Sequence, residues 1–260
     1  LPNEEELFTS VGSWKKARMN ENLFPGFYVS NFNGDLFRFN EILADANIKY
    51  PKYKEENVIS KEEYLTQVKT LASQMEEGEF DKIVLSRVKE IESDLSEEDF
   101  FNQIISAHPD KFCYQAHMPD GTLWFGASPE VLIESNASQI KTMALAGTQK
   151  KNQSKSYSWT EKEINEHEFV VDYISNILES NSKQWKKGTR EVVEAGPVVH
   201  LKTGFEANVN QEKIPDILSQ LQPTPAVCGI PKEKTKPIIE EIERHNRSFY
   251  TGMIGVQQAN

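Results

Sequence analysis

Cys113-Tyr114-Gln115-Ala116-His117-Met118-Pro119-Asp120-Gly121-Thr122-Leu123-Trp124-Phe125-Gly126-Ala127 is the stretch on which the fold class turns. Its two arms are short and rich in aromatic and other strand-forming residues. Between them, Pro119 sets φ, Asp120 can bond its own backbone and Gly121 tolerates positive φ, which together signal a hairpin turn. The spacing predicts antiparallel strands over 113–118 and 122–127. Working outward, 82–88, 139–145 and 192–201 read as further strands. Three helix starts stand among them: Ser60 before Glu63, Ser96 before Asp99 and Thr160 before Glu163. Each is a capping-box-like start ahead of an apolar stripe. The stripes are Tyr64, Val68, Leu71 and Met75; Phe100, Phe101, Ile104 and Ile105; and Ile164, Val170, Val171, Ile174, Ile177 and Leu178. Strands follow one another with helices inserted, without strict alternation. That pattern predicts an α+β domain with mainly antiparallel pairing rather than a doubly wound sheet. Residues 1–55 are less readable, but Pro25-Gly26 and Asn33-Gly34 predict short strands and hairpins there.

The chain has 260 residues, 38% hydrophobic and 27% charged, and shows neither an internal repeat nor a low-complexity linker. It reads as a single domain over 1–260, long enough to bury a core without disulfides. The net charge of −11 argues against a nucleic-acid partner, which needs clustered Lys and Arg. Cys113 and Cys228 fit neither a disulfide framework nor a zinc pattern and read as thiols in a reducing cytoplasm. No apolar run approaches the length of a membrane span. The acidic start, without Met, lacks the basic region of a signal peptide. With the abrupt end at Gln257-Gln258-Ala259-Asn260, the chain reads as a fragment.

Several residues could carry chemistry. In a strand, Lys82 shares a face with Val84, Ser86 and Val88. Spacing alone favours a solvated strand end for it; buried, its pKa would fall and it could act as a base. Glu130 follows Gly126-Ala127-Ser128-Pro129 just past an aromatic strand, a frequent site position and a still more frequent surface one. Gly147 and Thr148, after Ala144-Leu145-Ala146, could hold a carboxylate with backbone N–H groups and a hydroxyl, or form a simple turn. On the third helix, Glu166 and His167 lie one turn before Val170 and Val171, near the inward stripe. An inward Glu needs a cation, a metal or a donor, and Mg2+ would suit it; stabilisation by the helix dipole is the competing account. His200, in an apolar strand, is either a satisfied core residue or a pocket donor.

Seven segments, taken in order, resemble the core motifs of chorismate-utilising enzymes. They are Lys-Ile-Val-Leu-Ser-Arg (82–87), Phe-Gly-Ala-Ser-Pro-Glu (125–130), Leu-Ala-Gly-Thr (145–148), Glu-His-Glu (166–168), Val-Val-His-Leu (198–201), Pro-Thr-Pro-Ala-Val-Cys-Gly-Ile-Pro (223–231) and Asn-Arg-Ser-Phe-Tyr-Thr-Gly-Met-Ile-Gly (246–255). Residues 1–55 fall in the part where that family varies. The resemblance is closest to isochorismate synthases of the menaquinone or siderophore type. Anthranilate synthases resemble the chain but place Gln where Lys82 stands. One type of aminodeoxychorismate synthase places Lys where Ala146 stands. Salicylate synthases keep the Lys and are the nearest competitor.

The resemblance implies a layered antiparallel β core covered by helices, as in aminodeoxychorismate synthase, and chorismate as substrate. It implies Mg2+ held partly by Glu166. It casts Lys82 as the base that activates water for ring C2 and Glu130 as the acid for the departing C4 hydroxyl. It further implies that Leu145, Gly147, Thr148, His200, Ala226 and Tyr250 contact substrate. Monomers and homodimers both fit. Family members continue past the last motif, into a stretch that supplies a second Glu for the metal and an Arg and Gly for the pyruvyl carboxylate. The chain is therefore expected to be truncated, with an inactive chorismate-binding fragment as one alternative. A generic Mg2+-dependent hydrolase built on Glu166 is the reading that uses no resemblance.

Overall fold

The computed structural model describes residues 12–18, 25–41, 57–154 and 156–258. In chain order the elements are β1 (Gly12–Ala17), β2 (Gly26–Ser30), β3 (Leu36–Glu41), α1 (Lys61–Glu76), β4 (Lys82–Ile83), α2 (Glu97–Ala107), β5 (Phe112–His117), β6 (Leu123–Ser128), β7 (Glu134–Asn136), β8 (Gln139–Lys150), α3 (Glu161–Asn181), β9 (Ser182–Lys187), β10 (Glu191–Ala195), β11 (Val198–Val209), α4 (Ile214–Leu221), β12 (Gly229–Ile230), α5 (Lys232–Ile242) and β13 (Ile254–Gln257). One sheet runs β1-β3-β2-β13. A second runs β10-β11-β8-β7, with β9 also on β11; β4 pairs β12, and β5 pairs β6. Every pairing is antiparallel. The α+β expectation holds, and so does the central hairpin. Its turn closes through Gly121 N–H to the Met118 carbonyl, 2.9 Å, with Gly121 at φ +84°.

The core forms where α3 lies on β8 and β11. Along β11, Val199, Leu201, Thr203, Phe205, Ala207 and Val209 are buried, while His200, Lys202, Gly204 and Glu206 face the other side and stay partly exposed. This is the period-2 alternation of a sheet with one packed face. Val170, Val171, Ile174, Ile177 and Leu178 of α3 meet that face with Ile140, Ala144 and Ala146, and Ile217 and Leu221 of α4 close the cluster. Each fully buried aliphatic side chain contributes about 1.5–3 kcal/mol. The helix starts are as expected. Ser60 and Ser96 accept from Glu63 and Asp99 N–H, and Thr160 and Glu163 form a reciprocal capping box.

Other expectations are corrected. Only Lys82–Ile83 of 82–88 is strand. Beyond it, Val84 N–H still reaches the Cys228 carbonyl, but the Val84 carbonyl and the Ser86 N–H are taken by Arg247 and Glu243 side chains, which replace a neighbouring strand. β8 runs past Gly147-Thr148 to Lys150, so that pair ends no strand; Gly147, at φ +76°, lies beside a bulge where the register slips at His200/Leu201. The expected strand 192–201 breaks at Gly196 (φ +59°) and Pro197 into the β10–β11 hairpin, because proline cannot donate to the ladder. On α1 only Leu71 is buried, and Val68 and Met75 are exposed. On α2 no side chain is fully buried, although Phe100 packs edge-on to Phe125 at 5.0 Å. Part of 1–55 does form short strands, with a turn at Asn33-Gly34; the rest of the segment lies outside the described residues.

Candidate active site

Lys82 is placed by the β4–β12 pair, where Ile83 faces Gly229 and Lys82 faces Ile230. Gly229 is needed there, since a Cβ would stand 2.4 Å from the Lys82 carbonyl. The side chain turns inward, and Nζ donates to the Pro225 carbonyl at 2.7 Å. Pro225 sits in a turn held by Val227 and Cys228 N–H on the Thr224 carbonyl, both 3.1 Å. The solvated strand end favoured by spacing is thus overturned. Burial holds the Lys82 pKa below its ordinary value, against the opposing pull of Glu166 and then Glu130.

Glu130 follows β6. Gly126 of that strand lies flat against the Tyr114 ring, where a Cβ would meet ring atoms at 2.4 Å. Glu130 N–H donates to Ser128 Oγ, and that hydroxyl to the Glu130 carbonyl, both 3.3 Å. Burial pushes the Glu130 carboxyl up to about 7, with the Lys82 charge pulling the other way. Lys82 and Glu130 each keep some exposed surface, so the desolvation comes from dense protein around a site still open on one side.

Glu166 completes this electrostatic group. It lies at the edge of the inward stripe, with an i,i+4 contact to Lys162 Nζ at 3.7 Å. The fully inward residue is its neighbour His167, whose Nε2 and Thr203 Oγ1 are 2.8 Å apart and whose pKa burial lowers. Nearby on the sheet, His200 Nδ1 lies 3.0 Å from Thr148 Oγ1 and 3.3 Å from the Gly147 carbonyl. Burial lowers the His200 pKa, and the bond to Gly147 opposes that. A Cβ on Gly147 would come 3.0 Å from the Glu163 carbonyl, so the bulge abuts the first turn of α3. The two groups therefore share the start of α3.

The remaining candidates are less tightly joined. Leu145 is buried and pairs with Lys202 across the strands. Ala226 packs against the main core one residue beyond Pro225. Tyr250 is half exposed; its N–H donates to the Arg247 carbonyl at 2.8 Å and its carbonyl accepts from Thr251 Oγ1 at 2.6 Å. Two cavities of about 380 and 390 Å³ lie elsewhere, one lined by Asn33, Gln222, Lys232 and Lys236, the other by Met143, Lys202 and Gly204. Neither includes Lys82 or Glu130. Among the described residues, no three His, Cys, Asp or Glu side chains gather as a metal site, and no helix is long and apolar enough to cross a membrane. Residue spacing did not single out Glu243 or Arg247, both almost wholly buried and ion-paired at 2.6 Å. Their i,i+4 spacing was the available signal, and on a helix it usually marks a surface pair.

The family model described as chorismate binding enzyme matches residues 34–260. A vibriobactin-specific isochorismate synthase of Vibrio cholerae is 27% identical over 209 residues, covering 75% of this chain and 53% of that protein. The isochorismate synthase MenF of Bacillus subtilis is 27% identical over 230 residues, covering 81% and 49%. The chain thus spans about half the length of these curated relatives. Among solved structures, DhbC of Bacillus anthracis, assigned as a 2,3-dihydroxybenzoate-specific isochorismate synthase, superposes with a TM-score of 0.74 at 22% identity, covering 90% of this chain and 69% of that one. That likeness speaks to the fold.

Proposed function

Since this chain belongs to the chorismate binding enzyme family, we propose that its site serves the conversion of chorismate to isochorismate. Water adds at ring C2, the C4 hydroxyl leaves as water, and the ring double bonds shift, so substrate and product are isomers. Lys82 removes a proton from the attacking water, and Glu130 delivers one to the departing oxygen.

The observation that carries this reading is the opposed displacement of the two groups. Burial moves Lys82 toward the free amine and Glu130 toward the neutral acid, within one electrostatic cluster. A base and an acid tuned in opposite directions are what the substitution requires. Each such group is typically worth ~10²–10⁴-fold. Gly147 and Thr148 are assigned to a substrate carboxylate, and His200, already bonded to Thr148, to the ring near the leaving group. Leu145 and Ala226 shape the ring pocket, and Tyr250 faces the pyruvyl side.

Mg2+ is assigned to Glu166, which offers a single hard carboxylate one-third exposed. This suits an ion that keeps several waters and takes one or two protein carboxylates. Bound there, it would offset the negative charge of the substrate. The cytoplasm is the proposed compartment, since the free thiols Cys113 and Cys228 suit reducing conditions.

The test is incubation of the chain with chorismate and Mg2+, with products resolved by chromatography and mass detection. A new species of unchanged mass, lost in Lys82→Ala, is expected. Salicylate with pyruvate would move the assignment to the two-step reaction. Chorismate bound but unconverted would reduce the chain to a binding unit.

A further inference from the structure

A guanidinium is buried where three chain segments meet. The side chains of Arg247 and Glu243 are 3% and 2% exposed. Arg247 Nε donates to Glu243 Oε2 at 2.7 Å and Nη2 to Glu243 Oε1 at 2.6 Å. Two more hydrogens of the fork go to main chain: Nη2 donates to the Val84 carbonyl at 2.7 Å, and Nη1 to the Val227 carbonyl at 2.8 Å. The guanidinium carbon lies 4.5 Å from the Phe32 ring centroid. Glu243 Oε1 also accepts Ser86 N–H at 2.6 Å and Ser86 Oγ–H at 3.0 Å, and that hydroxyl stands 2.8 Å from His245 Nε2.

The two carbonyls are in telling places. Val84 is two residues after Lys82. Val227 is two residues after Pro225, whose carbonyl takes the Lys82 ammonium hydrogen. One rigid, planar fork therefore ties together the segment that carries the lysine and the segment that holds its nitrogen. The short β4–β12 pair joins the same two segments, and beyond its end Val84 N–H bonds the Cys228 carbonyl at 2.8 Å, so the fork extends that pairing past the last strand residue. A buried ion pair is weak grounds for stability alone, because apolar residues of similar volume often serve as well. Its geometry here is specific to the separation of residues 84 and 227.

We propose that Arg247, oriented by Glu243, is a positioning residue that sets where Lys82 Nζ stands in the site. It acts through the backbone and touches no substrate. The inference rests on the reading of Lys82 as the base, and its test has a readout that does not.

The full chain is compared with Arg247→Lys, Arg247→Met and Glu243→Gln. Two quantities are read: kcat against KM for chorismate, and the ε-carbon resonance of Lys82 at fixed pH in lysine-labelled protein, assigned by its loss in Lys82→Ala. Misplacement of a reacting group by about 1 Å can cost ~10²-fold. Arg247→Lys is expected to lower kcat by ~10²-fold with KM within about 3-fold, and to move the Lys82 resonance while circular dichroism still reports a folded chain. Arg247→Met should lose as much, since charge without the fork does not rescue. Glu243→Gln should move the same resonance by a smaller amount. If the chain does not turn over chorismate, the function assigned above fails, and the resonance alone decides this inference. An unmoved Lys82 resonance in folded Arg247→Lys or Glu243→Gln overturns it, as does wild-type kcat in Arg247→Lys. Unfolding of all three variants also overturns it, because the cluster is then a staple of the fold.

Discussion

Replacing Glu130 by Gln tests whether this carboxyl is held neutral, with no need for substrate. Its pKa is raised by burial from 4.5 to about 7. At ~1.36 kcal/mol per pH unit, a displacement of that size corresponds to ~3.4 kcal/mol. Because the side chain keeps some exposed surface, solvent screening discounts this, and ~1.5–2 kcal/mol is the working figure. The sign follows from proton counting. At pH 4 both the folded and unfolded chains are largely protonated at Glu130, and the group contributes no penalty. Between pH 4.5 and 7 the unfolded chain loses the proton while the folded chain keeps it, so stability falls as pH rises. Above pH 7 the folded group ionises too, and the penalty is constant. Gln has no such dependence. At ~2–4 °C per kcal/mol for a domain of this size, Glu130→Gln should melt about 3–8 °C higher than wild type at pH 8, and this gap should shrink toward pH 4. Thermal unfolding followed by circular dichroism in EDTA, in half-unit pH steps, measures it. A gap that stays flat with pH, or one that grows toward acid, refutes the reasoning, because Glu130 would then titrate as an ordinary surface carboxylate.

Three further outcomes are expected. Glu243→Leu strands the buried Arg247 and should cost ~3–5 kcal/mol. Adding Arg247→Met should cost less than the sum, with a coupling of ~2–3 kcal/mol, read from urea midpoints in a double-mutant cycle. Gly147→Ala should destabilise the chain by more than ~1 kcal/mol, because φ is +76° and the new Cβ would press on the Glu163 carbonyl at 3.0 Å; urea unfolding checks it. Thr160→Ala removes the reciprocal cap of α3 and should cost ~1 kcal/mol, seen as a lower melting temperature with the cooperative transition kept.

What could be read from the sequence was whatever depends on neighbours a few positions away. The caps at Ser60, Ser96 and Thr160, the turn at Pro119-Asp120-Gly121 and the buried stripe of α3 all follow from local hydrogen bonding and helical period, and each is present. The order of seven motifs was enough to identify the family, which the match over 34–260 bears out. Burial was harder, because it depends on what packs on the other side. The stripes of α1 and α2 have the same period as that of α3, yet of their residues only Leu71 is fully buried, while Val68, Met75 and Phe100 stay exposed.

Only the tertiary structure decided the state of the charged residues. Lys82 reads as a solvated strand end until a turn 143 positions away presents the Pro225 carbonyl to it. Burial among separate elements is what lowers its pKa, and Glu166 and Glu130, brought in from elsewhere in the chain, pull against that shift. Residues 84–86 look like strand by composition, but their backbone is satisfied by the Arg247 and Glu243 side chains, partners that no local pattern can supply. Sequence carries propensity and motif order, which are short-range quantities. Desolvation and electrostatic coupling are set by distances in space, so the chemistry of this site became definite only when strand, loop and helix were brought together.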